Sequence, residues 1–199
     1  IPVRYGLTIG EIAQLFNAEY GLGAELDVVW MEGWHRTDYW EDTGLPWVPP
    51  SPNMPGPETA VVYPGTCFFE GTNISEGRGT TKPFELFGAP FIDGARLADA
   101  LNEQSLPGIC FRPVFFQPAA SKYAGEICEG VQLHVLDRAA FEPLSTGFTA
   151  LATVLRLYPQ DFAWRIPQGE IHNFDRLAGT DQIRFALDRG LSAAELVAT

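Results

Sequence analysis

Apolar positions recur every three or four residues near the start of the chain. Thr8 and Glu11 have the spacing of a capping box, which satisfies the first free backbone N–H groups of a helix. The apolar face behind this box consists of Ile9, Ile12, Ala13, Phe16 and Tyr20. Gly21 ends the pattern, so the sequence predicts a helix over residues 9–20.

Along the rest of the chain, short β-branched and aromatic segments alternate with segments of helical spacing. The predicted strands are residues 26–31, 73–75, 108–116 and 131–136. The predicted helices are residues 57–69 with a kink at Pro64, residues 95–103 behind Asp93, a helix through Phe148 and Leu155 that stops at Pro159, and two short tail helices, begun by Thr180 and by a capping box at residues 192–195.

Interleaved elements without internal repeats or a break in composition predict one domain over residues 1–199. The expected fold class is α+β, with a mixed sheet of about four strands covered by helices and with long loops rich in proline and tryptophan. An α/β sandwich is the alternative.

A long loop interrupts this order of elements. Four of the five Trp lie between Trp30 and Trp47, and seven of the sixteen Pro lie between Pro46 and Pro64. Such a segment fits neither a regular helix nor a central strand. Long loops of this kind are uncommon in compact domains unless they bind or catalyse, so we expect function here.

The residue types in this loop favour a sugar ligand. Indole rings pack against the apolar faces of sugars, and Ser51 and Asn53 would serve the hydroxyl groups. Trp47 is the candidate binding platform, with Trp34 and Trp40 as its alternatives. We expect at least one of the three rings to form the loop's own small core.

Charge and motif content exclude several classes of function. Thirteen basic and twenty-five acidic side chains give a formal charge of −12, which opposes binding to nucleic acid and to anionic membranes. No apolar run approaches the roughly 20 residues of a membrane span. The chain has no dinucleotide fingerprint, P-loop or zinc-protease motif, and its histidines lack metal-ligand spacing. We therefore expect no cofactor, no metal and no nucleic-acid partner.

The ends and the cysteines leave two questions open. No signal segment opens the chain, but this excludes little, because a chain that begins at Ile1 rather than Met is expected to be a processed product or an excised fragment. Cys67, Cys110 and Cys128 are an odd number without a CxxC pair, so we expect buried small hydrophobic residues, with one disulfide as the open alternative.

A segment broken by glycines carries the candidate catalytic carboxyl. Glu70, Asn73, Glu76 and Arg78 lie close together there, where the backbone can approach a ligand. Cleavage of a glycosidic bond usually requires two carboxyl groups on opposite sides of the bond. Glu76 is the best local candidate, and a structural ion pair between Glu76 and Arg78 in a tight turn is the alternative.

Three arginines are candidates for binding an anion. Arg78 and Arg112 are flanked by Gly or Pro, and Arg4 precedes Tyr5 and a glycine, contexts that fix a guanidinium group in place. The planar guanidinium pairs with a carboxylate through two hydrogen bonds. A few fixed arginines in an acidic chain suit a small anionic ligand, although each is equally suited to pair with one of the many acidic side chains.

Several of these segments also carry a resemblance to a known family. The matching blocks are residues 1–11, the Pro-rich residues 43–55 ending in Ser-Pro-Asn-Met-Pro, residues 63–65, residues 69–80 with Ser-Glu-Gly-Arg-Gly-Thr, residues 83–85 and residues 88–90. The chain resembles the bacterial exo-β-N-acetylmuramidases, glycoside hydrolases that remove N-acetylmuramic acid from peptidoglycan fragments and were long labelled a domain of unknown function.

The resemblance implies a division of labour. Family members are about twice as long, and their amino-terminal, Rossmann-like half carries a Glu-His-Gly block that supplies a catalytic carboxyl group. This sequence has no such block, so it resembles the carboxy-terminal half, with the other half as its partner. The expected substrate is a saccharide derived from peptidoglycan, and the expected location is the bacterial periplasm or the exterior.

The resemblance also supports site roles for individual residues. These residues are Arg4, Tyr5, Trp47, Ser51, Asn53, Asn73, Glu76 and Arg78. The resemblance alone assigns no catalytic step to any of these residues. The lactyl carboxylate of N-acetylmuramic acid is a small anionic group of the kind that the fixed arginines are expected to bind. A binding module without catalysis is the alternative function.

Overall fold

The computed structural model describes residues 6–166 and 171–191. The chain divides into two compact units, Ile1–Trp47 and Val48–Thr199, and the single domain expected over residues 1–199 stays a prediction. No helix among the described residues has the length and apolarity needed to cross a membrane.

The first unit contains one helix, α1, over Ile9–Glu19. The predicted capping box is present: the Glu11 N–H donates to Thr8 Oγ1 at 3.2 Å, and the Thr8 N–H donates to Glu11 Oε2 at 2.7 Å. A short 3₁₀ helix follows at Trp40–Thr43. None of the described residues of this unit is buried.

The second unit contains the remaining elements. Its helices are α2 (Pro57–Thr66), continued as a 3₁₀ helix over Cys67–Gly71, then α3 (Gly94–Asn102), α4 (Pro143–Leu157), α5 (Asn173–Ala178) and α6 (Gln182–Asp188). Its strands are β1 (Leu86–Ala89), β2 (Ile109–Phe116) and β3 (Cys128–Val135), arranged in the order β1-β3-β2. Both strand pairs are antiparallel, with Gly88 opposite Gly130 and Phe111 opposite Leu133.

The α+β class is therefore confirmed, with two differences in the sheet. The described residues form three strands rather than about four, and all of them are antiparallel. Residues 26–31 were wrongly predicted as a strand: they pair with no strand among the described residues, and β-branched and aromatic composition produces a strand only where tertiary packing supplies a partner. Residues 73–75 contribute only an isolated bridge between Ser75 and Gly88.

One strand and one α-helix of the second unit were not predicted from the sequence pattern, nor was the 3₁₀ helix of the first unit. All four residues of β1 are buried, so the strand lacks the alternation of a half-exposed strand. Helix α5 has six residues, too few for a helical period to stand out. The predicted helix at residues 192–195 lies outside the described residues.

Aromatic packing holds the 3₁₀ helix after α2 against the sheet. Phe68 and Phe69 are fully buried, and the Phe69 ring stacks on Phe87 of β1 with a centroid distance of 4.3 Å. Helices α2 and α4 meet at Gly65 and Gly147, where a Cβ atom on either residue would collide with the backbone of the other helix. The segment that follows Gly71 therefore starts from a rigid support.

All three cysteines are free thiols. Cys67 and Cys128 are buried, and Cys110 is half-buried on β2.

Candidate functional site

The Ser75–Thr80 segment forms a tight turn anchored to the edge of β1. Ser75 and Gly88 exchange two backbone hydrogen bonds, of 2.8 and 3.0 Å. Gly77 and Gly79 have φ values of +79° and +82°, in the region that side chains disfavour. The Thr80 hydroxyl closes the turn by donating to the Gly77 carbonyl at 2.6 Å.

This turn packs directly against a second loop. The Ala119 N–H donates to the Gly79 carbonyl at 2.8 Å. A Cβ atom on Gly79 would lie 2.5 Å from the backbone N and O of Ala120, so only glycine permits this approach. The contact brings Lys122 to the inner side of the turn.

Four charged side chains meet at this point and form what we call the charge network: Glu70, Glu76, Arg78 and Lys122. Arg78 Nη2 lies 2.9 Å from Glu70 Oε1, and Arg78 Nε lies 3.1 Å from Glu76 Oε1. Lys122 Nζ lies 2.8 Å from Glu76 Oε2. Each oxygen of Glu76 therefore has its own cationic partner, as the ion-pair alternative anticipated.

The network has a buried end and a solvent-facing end. The side chains of Glu76 and Lys122 are only 3% and 14% exposed, whereas those of Arg78 and Glu70 are 30% and 24% exposed. The guanidinium of Arg78 also lies over the ring of Phe84, 4.9 Å from its centroid. A ligand in solvent can therefore reach Arg78 and Glu70 directly, while Glu76 lies behind them.

All three N–H donors of the Lys122 ammonium group have an acceptor. Besides Glu76, its ammonium donates to the carbonyls of Phe69 and Ile74, both at 2.7 Å. Burial lowers the pKa of Lys122, and the nearby carboxylate of Glu76 opposes that shift. Lys122 therefore ties the loop to the 3₁₀ helix and to the turn at once.

Backbone conformations of high energy surround the network. Phe84, Ser121 and Tyr123 are non-glycine residues with φ values of +63°, +72° and +56°. Each such conformation costs on the order of 1–3 kcal/mol, and such residues concentrate at functional sites. Two of the three flank Lys122, and the third supports Arg78.

Asn73 fixes a further segment beside the network. Its side chain donates to the Asp161 carbonyl at 2.8 Å and accepts from the Ala163 N–H at 2.9 Å. Thr72 and Trp164 form an isolated antiparallel bridge next to it. Asn73 therefore shapes the site by holding residues 161–165, and both ends of its amide are already bonded.

The other predicted site residues do not join this group within the described residues. Ser51 accepts a hydrogen bond from the Asn53 N–H at 3.3 Å, which stabilises their own turn. Arg112 lies exposed on β2 and donates to Gln132 at 2.6 Å. Arg4 and Tyr5 lie outside the described residues, and their assignment stays a prediction.

Trp47 lies in the first unit, half-buried. Its ring packs edge-on against Trp40 with a centroid distance of 5.3 Å. Trp40 in turn donates from its indole N–H to the Leu45 carbonyl at 3.0 Å. These contacts join the two rings within the loop, and both the expected loop core and the platform role of Trp47 stay predictions.

Lys122 and Trp164, which lie at or beside the charge network, were not among the candidates predicted from the sequence. Lys122 is 46 residues from Glu76 along the chain, and no local pattern marks it. Trp164 was the one tryptophan outside the loop, the only signal that pointed towards it. Among the described residues, no group of three or more His, Cys, Asp or Glu is arranged to hold a metal ion.

Two family descriptions match the chain in sequence. Residues 61–199 match "Exo-beta-N-acetylmuramidase NamZ, C-terminal", and residues 1–58 match "Exo-beta-N-acetylmuramidase NamZ, N-terminal". The chain is 50% identical over 197 residues to the peptidoglycan beta-N-acetylmuramidase NamZ of Bacillus subtilis (strain 168). That alignment covers 99% of this chain and 47% of the relative.

Two crystal structures of DUF1343 family proteins from Bacteroides fragilis share the fold. One has a TM-score of 0.85 at 35% identity and covers 98% of this chain and 51% of its own. The other has a TM-score of 0.65 at 25% identity and covers 97% of this chain and 50% of its own. The chain thus spans about half the length of the relatives it matches.

Proposed function

Since the chain belongs to the exo-β-N-acetylmuramidase NamZ family, we propose that it forms the saccharide-binding part of an enzyme that removes terminal N-acetylmuramic acid from peptidoglycan fragments. The observation that carries this proposal is the charge network, with Arg78 and Glu70 accessible to solvent and Glu76 buried behind them. We further propose that the protein acts in peptidoglycan recycling, in the bacterial periplasm or outside the cell.

The solvent-facing end of the network suits a sugar. Arg78 offers N–H donors and Glu70 offers acceptor oxygens, and sugar hydroxyl groups bind both kinds of group. The contacts with the Phe84 ring and with Glu76 already restrict the Arg78 side chain. Arg78 therefore loses little conformational freedom when a ligand binds. Fixed polar groups of this kind set the orientation of a ligand.

Glu76 has a narrower role in this proposal than direct proton transfer. One of its oxygens accepts a hydrogen bond from Lys122, the other forms an ion pair with Arg78, and its side chain is 3% exposed. A general acid or base must reach the atom that it protonates or deprotonates. We propose that Glu76 acts electrostatically by positioning Arg78, and that the residue that transfers protons belongs to another part of the full-length enzyme.

A full-length family protein that carries these residues provides the test. We expect Glu76→Gln to lower kcat/KM for a chromogenic N-acetylmuraminide without shifting the pH at which its activity is half-maximal, because Glu76 positions another group. Loss of one limb of the pH profile would instead assign proton transfer to Glu76. Gln132→Ala, on the sheet, is the control for a general loss of fold.

The 199-residue chain by itself tests whether binding and proton transfer are divided between two parts of the enzyme. We expect the chain to bind N-acetylmuramic acid in a calorimetric titration and to hydrolyse no N-acetylmuraminide at a useful rate. Robust turnover by the chain would overturn the division of roles, and no detectable binding would overturn the proposed function.

A further inference from the structure

An open pocket of about 470 Å³ lies beside the charge network, entirely within the second unit. Its lining comprises Thr72, Asn73, Ser121, Lys122, Tyr123, Ala163, Trp164 and Arg165. The pocket is thus lined by Lys122 of the charge network, by two aromatic residues and by one arginine.

The wall that carries Trp164 and Arg165 is rigid. The Arg165 N–H donates to the Gly71 carbonyl at 2.8 Å, and the Arg165 carbonyl accepts from the Asn173 N–H at 3.0 Å. The Trp164 indole N–H donates to Asp188 at 2.8 Å, and its ring packs against Phe174 at 4.8 Å between centroids. The indole is therefore fixed, and its half-buried ring leaves surface for a ligand.

The described residues leave one positive charge in the pocket without a compensating partner. Within the network, two carboxylates balance two cations. The exposed Arg165 has no side-chain hydrogen bond or ion pair with any residue in the part of the chain that the structure describes. Its charge contributes to lowering the pKa of Lys122, so the two cations lie near each other. An excess positive charge is thus kept at one site of a chain whose formal charge is −12.

Lys122 itself has no free donor for a ligand, because its ammonium already donates to Phe69, Ile74 and Glu76. Arg78 likewise shares its guanidinium between Glu70 and Glu76. Arg165 therefore has the guanidinium with the most unused donors beside the network, and a carboxylate is the partner that its planar geometry fits best.

We propose that this pocket is a subsite for a carboxylate carried by an amino sugar, with Arg165 pairing with the carboxylate and Trp164 and Tyr123 contacting the sugar or its substituent. The proposal rests on the function proposed above and places anion recognition at Arg165 rather than at Arg78. The carboxylate has two sources in peptidoglycan fragments, the lactyl group and the attached peptide.

The test is calorimetric titration of the 199-residue chain and its Arg165→Gln variant with three ligands. N-Acetylmuramic acid carries a free lactyl carboxylate, N-acetylmuramoyl-dipeptide carries its carboxylates on the peptide, and N-acetylglucosamine carries none. Arg156→Gln, which removes an exposed arginine from α4, is the matched control.

We expect Arg165→Gln to weaken one or both carboxylate ligands by about tenfold and to leave N-acetylglucosamine unchanged, because a charge-assisted pair is lost. The ligand affected identifies the source of the carboxylate. We expect Arg156→Gln to change none of the three affinities.

Two results would overturn the proposal in distinguishable ways. If the parent chain binds the carboxylate ligands and Arg165→Gln binds them equally well, the subsite is wrong while the proposed function stands. If the parent chain binds none of the three ligands, both the subsite and the proposed function are wrong.

Discussion

The carboxylate of Glu76 lies at the buried end of the charge network. Among the described residues it is the one acidic group paired with Lys122, and it shares Arg78 with Glu70. Removing one partner of a buried ion pair leaves the other charge without compensation, which costs more than the pair itself contributes. Glu70 forms the equivalent contact at the solvent-facing end, where water screens the loss.

We therefore expect Glu76→Gln to lower the free energy of unfolding of the chain by about 3 kcal/mol, and Glu70→Gln by about 1 kcal/mol or less. Urea unfolding of both variants beside the parent measures the two values. Equal losses would mean that burial does not distinguish the two ends of the network.

Cys67 gives a second prediction at this scale, on alkaline stability. Burial, assisted by the negative charge of Glu70, raises the pKa of the Cys67 thiol from 9.0 to about 12. Between these values the unfolded chain loses a proton that the folded chain keeps, so the free energy of unfolding falls as the pH rises above 9.0. One pH unit above the ordinary thiol pKa, the loss is about 1.4 kcal/mol.

Urea unfolding at about pH 8 and about pH 10 checks this expectation. Cys67→Ala should show a smaller loss of stability between the two pH values than the parent, because the thiol is gone. The remaining loss in the variant has other sources, since burial also raises the pKa values of Cys128 and Tyr63. An identical pH dependence in parent and variant would contradict the assignment to Cys67.

At the scale of elements, the site depends on two loops that pack against each other rather than on any helix or strand. The turn at residues 75–80 and the loop that carries Lys122 meet at Gly79 and Ala120. Gly125, in the same loop as Lys122, has a φ of +82°, as Gly79 does, yet a Cβ atom there would meet nothing within 4 Å. A comparison of substitutions at the two glycines therefore separates the cost of the left-handed backbone conformation from the cost of a steric collision.

We expect Gly125→Ala to cost about 1 kcal/mol, the penalty of a left-handed conformation alone. Gly79→Ala should cost at least about twice as much, because the new methyl group also collides with Ala120. Thermal unfolding of both variants gives the comparison. Similar losses for the two substitutions would show that the loops do not pack closely in solution.

At the scale of the whole molecule, the two units are unequal. Every buried hydrophobic residue among those described, including Phe68, Leu97 and Phe174, lies in Val48–Thr199. The described part of the first unit exposes several large apolar side chains, among them Val29 at 94% and Ile9 at 78%. The family description that matches residues 1–58 is the amino-terminal one, while residues 61–199 match the carboxy-terminal one.

We therefore expect a chain of residues 48–199 to fold by itself and to melt within about 4 °C of the 199-residue chain, because the core remains intact. Phe174→Ala is the control, since truncating a fully buried Phe costs about 3–5 kcal/mol. Differential scanning calorimetry checks both. Loss of a cooperative transition in residues 48–199 would show that the first unit contributes to the core.

Local sequence is sufficient to predict the features whose partners are near neighbours in the chain. The capping box of Thr8 and Glu11 and the cap of α3 by Asp93 are present as predicted, because their hydrogen bonds join residues three positions apart. The Gly-Arg-Gly turn and the pairing of Glu76 with Arg78 also follow from adjacent positions. The α+β class followed from helical and extended segments in alternation.

Contacts between side chains that are distant in sequence depend on the tertiary structure. Lys122 joins Glu76 over 46 positions, and Asn73 bonds Asp161 over 88 positions, so no local pattern carries either contact. The pairing of strands depends on long-range contacts in the same way. Residues 26–31 have the composition of a strand but do not form one, whereas Leu86–Ala89 does. Hydrogen bonds between near neighbours are specified by local spacing, whereas long-range contacts depend on how the buried surfaces of the whole unit pack together.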